Sequence, residues 1–146
     1  PNVYISAHED REIEYGVDYL LYLSRRVPEV TFHIYGIEPM AKSASENIVW
    51  HGRVSKEQMN KQIKGMQCGL RLNETDGFSE ITAKSILMGQ YPITRLEYPL
   101  IPNFEGEGEL ISLIKSLPEM KTYNEKGREY YLKALNNYPW NVKKHK

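Results

Sequence analysis

The residues best placed to do chemistry lie in one stretch, Asn73 to Pro92, which reads NETDGFSEITAKSILMGQYP. Asp76 and Gly77 form a turn pair, Phe78 follows, and Ser79 stands where a helix N-cap would stand. Gly77 lets the backbone pass close beneath a ligand. The free N–H groups of Ser79, Glu80 and Ile81 would then open a helix, and an open helix N-terminus attracts an anion through unpaired donors and the helix dipole. Asp76 is an acceptor suited to the hydroxyls of a neutral polyol. The combination suits a ligand with both phosphate and sugar. Lys84 lies one helical turn beyond Glu80, an i,i+4 pair. The plain structural alternative is an ordinary turn, an ordinary cap and a surface ion pair.

Other polar groups cluster in loops. His8, Glu9, Asp10 and Arg11 follow the first apolar run, and His51, Gly52 and Arg53 end a later one. His8, Glu9 and Asp10 are metal-ligand types, but adjacent loop residues rarely complete a coordination shell, so no metal is expected. His33 sits inside a β-rich run and reads as a satisfied core or rim histidine. Cys68, the one cysteine, sits in QCGLRL and reads as a small buried hydrophobe. Trp140 reads as a packing anchor. The Gly106-x-Gly108 pair lacks a preceding strand and a third glycine, so it is no dinucleotide fingerprint.

The elements that must position these groups alternate. Strands are expected at Asn2–Ser6, Val30–Tyr35, Ile48–Trp50, Gly69–Leu72 and Pro92–Arg95. Helices are expected over Gly16–Arg26, after a Ser55/Gln58 capping box with Met59, Ile63 and Met66 on one face, after Ser79, through Leu110–Leu117, and from about Asn124 to before Pro139. Alternation of this kind implies a Rossmann-like α/β domain of three layers, with a parallel sheet of five to six strands. Ligands of such sheets bind outside the carboxyl ends of the strands. The polar segment Gly36–Asn47 is expected on the surface.

Bulk properties agree with one soluble domain. The chain has 146 residues, 40% hydrophobic and 26% charged, and its 19 basic and 19 acidic side chains cancel. That balance argues against a general nucleic-acid binder. No run is long enough for a membrane span, no signal-peptide pattern is read, and a lone cysteine suits a reducing compartment, so a cytoplasmic location is expected. The basic end Lys143-Lys144-His145-Lys146 is a short solvated tail. The chain enters a strand directly after Pro1, the look of a fragment of a larger protein.

Taken in order, VTFHIYG, NIVWHGRVSKEQMNKQIKGMQCGLRL, ETDGFSEITAKSILMGQYPIT and NNYPWNVKK resemble the C-terminal, nucleotide-sugar-binding half of GT-B glycosyltransferases, above all the retaining group 1 family. The resemblance spans nearly the whole chain. It implies transfer of a sugar from a nucleotide-diphosphate sugar to a glycan, lipid or small-molecule acceptor. It also implies no cofactor, and an N-terminal acceptor domain as partner that carries any catalytic base. Peripheral membrane association of the intact protein is compatible with it. Asp76 matches the family's first Glu, which contacts sugar hydroxyls, and Gly77 and Phe78 match its Gly and Phe. Ser79 replaces the second Gly. The family's second Glu, which holds the ribose, falls at Lys84, a reversal of charge, with Glu80 near but off register. The family's two diphosphate-binding cations are absent from the first loop, where Tyr15-Gly16 stands for Lys-Gly. Arg11, then His8, are the substitutes there, with Arg53 or Arg71 as others. These departures also admit a non-catalytic domain used for assembly or regulation, or a nucleotide-sugar epimerase.

Overall fold

The computed structural model describes residues 1–6, 17–38, 46–72, 80–94, 99–120 and 123–136. Five parallel strands make one sheet: β1 (Asn2–Ser6), β2 (Thr31–Tyr35), β3 (Ile48–Gly52), β4 (Cys68–Arg71) and β5 (Ile93–Thr94), in the order β3-β2-β1-β4-β5. Five helices accompany them: α1 (Val17–Arg26), α2 (Lys56–Ile63), α3 (Glu80–Leu87), α4 (Glu107–Ser116) and α5 (Glu125–Asn136). Each strand forecast from the alternating pattern is present, shifted by a residue or so at its ends. The order reverses at β1: β2 and β3 lie on one side of it, β4 and β5 on the other.

The two faces of the sheet differ because side chains alternate along a strand. Val3, Ile5, Phe32, Ile34, Ile48, Cys68, Leu70 and Ile93 form the apolar face. Leu20, Leu21 and Leu23 of α1 and Leu110 and Ile114 of α4 cover it. Tyr4, Tyr35 and their neighbours face the other way, against Met59 and Ile63 of α2 and Ile81 of α3. The first layer is almost wholly aliphatic, the second carries hydroxyls and imidazoles. Cys68 is fully buried, and burial pushes its thiol well above the usual range, so it is packing and not a nucleophile.

Local signals explain the helix ends. Ser55 caps α2 by accepting a hydrogen bond from the Gln58 N–H at 3.1 Å. Asn124 caps α5 through Gly127 N–H at 3.2 Å. α1 ends in Arg25 and Arg26, which complement its dipole. Asn47 closes that end: its side-chain amide donates to the carbonyls of Ser24, Val27 and Val30. This corrects the expectation of a surface loop from Gly36 to Asn47, since Asn47 is a clasp and Ile37 is buried, while 39–45 lie outside the described residues.

Candidate functional site at the carboxyl ends of the strands

Packing of α3 on β4 is what aims the helix terminus. A Cβ on Gly69 would come within 3.0 Å of Ser85 Cβ and 3.1 Å of Ile81 Cγ2, so only glycine lets the helix lie this close. Ser85 Oγ accepts a hydrogen bond from Gly69 N–H at 3.0 Å and fixes the approach. The helix begins at Glu80, just beyond the carboxyl end of β4 at Arg71 and Leu72. Its N-terminus therefore opens on the side where ligands of parallel sheets bind.

Lys84 lies one turn inside that terminus. It belongs to the stripe Ile81, Lys84, Ser85 and Met88, of which Ile81 and Met88 pack with the aromatic layer. The lysine is half-buried and makes an interaction of its own. Glu80 opens the helix, and its side chain lies outside the described residues, as do His8, Arg11, Asp76, Gly77, Phe78 and Ser79.

The neighbouring rim is formed by β2 and β3. Gly36, with φ of 99°, donates its N–H to the carbonyl of Gly52 at 2.9 Å. Gly52 also has positive φ, 69°, and a Cβ there would lie 3.0 Å from Glu38 Oε1, so both strands end in turns that suit glycine. Arg53 follows and is exposed. Arg71 ends β4 half-buried, and each of the two arginines already makes an interaction. Two cations, Arg53 and Arg71, thus stand at carboxyl ends on the two sides of β1, and Lys84 stands one turn into the adjacent helix.

The sequence reading missed a polar network beneath this rim. His33 Nε2 donates to Asn2 Oδ1 at 2.8 Å, and its Nδ1 lies 2.8 Å from His51 Nε2. Tyr35 stacks on His51, ring centroids 4.4 Å apart and 5° from parallel, and its hydroxyl donates to Gln62 Oε1 of α2 at 2.8 Å. His51, at the end of its strand, is turned to His33 and Tyr35. Burial and the nearby His51 lower the His33 value from 6.5 to about 4, and burial lowers that of His51. The available signal was parity, for Asn2, Tyr4, His33 and Tyr35 alternate with the apolar Val3, Ile5, Phe32 and Ile34 and so share one face, which His51 joins where the β2–β3 register shifts. Tyr4 reaches Gln90 at 2.8 Å, and Gln90 in turn donates to the Ile63 carbonyl at 2.7 Å, tying β1, α2 and the end of α3 together.

A cavity of about 270 Å³ lies at the opposite end of the sheet, lined in part by Met66, Gln67, Gln90, Tyr91 and Met120. It borders the amino ends of β4 and β5, away from the expected ligand side. Among the described residues no three His, Cys, Asp or Glu side chains gather as a metal site. None of their helices is long and apolar enough to cross a membrane.

Comparison with models of known protein families finds no match, and no characterised protein matches at the level of sequence. Solved structures do match. A GtfA/B complex aligns with TM-score 0.63 at 16% identity, over 93% of this chain and 33% of that one. TarM aligns at 0.62 and 12% identity, over 88% and 31%. The C-terminal domain of a glycosyl transferase group 1 family protein, LpcC from Francisella tularensis, aligns at 0.62 and 9% identity, over 88% of this chain and 82% of that domain. The chain spans about a third of the length of the first two. At such identities the likeness speaks for architecture alone, and it agrees with the sheet order and helix placement: the chain has a Rossmann-like fold, similar to domains found in these glycosyltransferase structures.

Proposed function

We propose that this chain is the donor-binding domain of a glycosyltransferase that moves a sugar from a nucleotide-diphosphate sugar to an acceptor. The observation that carries the reading is the match of 88% of this chain onto 82% of a solved glycosyl transferase group 1 C-terminal domain. The α3 terminus at the carboxyl end of β4 supports it, because backbone donors there would stabilise the negative charge of a departing diphosphate without a metal. In this reading Asp76 orients the sugar, Arg11 or Arg53 assists the phosphates, and Lys84 reaches ribose or phosphate. The acceptor site and any general base belong to a preceding domain, and the intact protein works in the cytoplasm.

The test is calorimetric titration of the intact protein with UDP, GDP and ADP sugars, to about the millimolar upper range of enzyme substrate constants. Binding of one class, abolished by Asp76→Ala with folding retained, is the expected result. No binding of any would overturn the proposal. One feature favours a second reading, a domain that keeps the fold for assembly without transfer: the half-buried Lys84 stands where the family resemblance would put a ribose-binding carboxylate. An epimerase would convert the donor without an acceptor, so product analysis separates that case.

A further inference from the structure

We propose that His33 and His51 form a one-proton unit that holds α2 and the turn after β3 in place, and that a second proton opens it. The hydrogen bonds fix the protonation of each ring. Asn2 Oδ1 is an acceptor, so His33 carries its proton on Nε2. His33 Nδ1 is then a bare acceptor, and the proton between the rings belongs to His51 Nε2. The two rings lie within 17° of one plane with centroids 5.1 Å apart, the geometry of an end-to-end N–H···N bond.

One added proton can be absorbed in place. His51 takes it on Nδ1, and its Nε2–H still donates to His33 Nδ1, so the line of hydrogen bonds survives. A second proton cannot be absorbed, because both rings would then present N–H to each other across 2.8 Å. One ring must leave. His51 is the freer of the two, since Asn2 holds the far side of His33. Its departure strips the stack from Tyr35, and Tyr35 is the residue bonded to Gln62 on α2. It also pulls on Gly52, whose carbonyl holds Gly36. α2 and residues 53–55 are therefore the parts released.

Among the described residues the partners of the pair are uncharged: Asn2 on β1, Tyr35 on β2 and, through Tyr35, Gln62 on α2. The ionisable side chains of α2, Lys56, Glu57 and Lys61, are exposed. Among the described residues His51 is the one charged neighbour that acts on His33, and it acts against protonation. Among the described residues the carboxylate at this end is Glu38, whose Oε1 lies 3.0 Å from the place of a Cβ on Gly52 and which does not act on His33.

Nitrogen-15 NMR of the imidazoles, with amide exchange followed on the same samples during acid titration, tests this. Near neutral pH both rings should show an unprotonated Nδ1. The first proton should shift the signals of both rings together. The second should raise exchange of the α2 and 53–55 amides by about tenfold or more while the α1 and α4 amides stay protected. His51→Gln keeps a donor to His33 but takes no proton, and should abolish the second step. Two independent titrations near the ordinary histidine value would overturn the proposal. So would unchanged α2 exchange through both steps, or a single global unfolding with no earlier loss in α2. If His51→Gln does not fold, the wild-type titration decides alone.

Discussion

At the scale of single residues, the two sheet faces predict opposite responses to pH. The aliphatic face contains nothing that titrates near neutrality, whereas His33 in the polar layer is held neutral. Its value in the folded protein is about 4, against 6.5 when unfolded. Between those values the unfolded chain binds the extra proton and the folded chain does not. Stability from this group is therefore fully present above about pH 6.5, falls as pH drops toward 4, and is level below that. Urea midpoints measured across this window should decline with acid, and His33→Gln should flatten the decline. A midpoint that rises on acidification would show His33 to be stabilised as the cation instead. Gly69 makes a second residue-scale prediction. Ala at this position adds a methyl between Ser85, Ile81 and Tyr4, all within 3.1 Å of its Cβ. Overpacking of this kind costs about 1–3 kcal/mol. Denaturant midpoints should fall accordingly, and α3 should shift away from β4.

At the scale of elements, two helical glycines separate propensity from packing. Gly108, in the first turn of α4, has open space where a Cβ would go. Gly108→Ala should stabilise by about 0.4–1 kcal/mol, because the unfolded chain loses freedom at no cost in the fold. Gly127, near the start of α5, faces the buried Ile86 of α3, with a Cβ placed 2.6 Å from its Cδ1 and 2.7 Å from the capping amide of Asn124. The same helix gain there is outweighed by overpacking of about 1–3 kcal/mol, so Gly127→Ala should destabilise. Thermal midpoints of the two variants should move in opposite directions. This contrast also marks what the sequence could disclose. Among the described residues, β-rich runs and helical spacings located the five strands and five α-helices, since burial itself imposes such patterns. Ser55, Asn124 and the Cys68 environment were readable for the same reason. Contacts between distant elements were not: Asn47 gathering three carbonyls, His33 meeting His51, and Gly127 under Ile86 depend on how the crossovers bring segments together. The expected donor loop, Asp76 to Ser79, lies outside the described residues, so of that site only the framework around it can be compared.

At the scale of the whole molecule, the question is whether the framework still serves a donor. The sheet order and the α3 terminus are those of a parallel α/β domain, and the solved glycosyltransferases share that architecture. Fold by itself does not fix activity. Lys84 is where the two can be told apart. It stands half-buried on α3, one turn from a helix end that carries partial positive charge. A carboxylate in that place would accept from ribose hydroxyls and be favoured by the dipole. A lysine loses both advantages, and persists only if something anionic or a hydroxyl acceptor faces it, or if no donor binds at all. Lys84→Glu in the intact protein therefore has readable outcomes under calorimetry with nucleotide sugars. If Lys84 serves a phosphate, removing its charge and adding another negative one should weaken binding by about 10-fold or more, the size of one charge-assisted contact. The loss should be greater for diphosphate sugars than for the nucleosides alone. If the site has drifted from ribose binding, the same change should restore affinity, and for nucleosides as much as for diphosphates. If the domain serves assembly, neither ligand should bind before or after the change, while denaturant midpoints report that the helix remains folded.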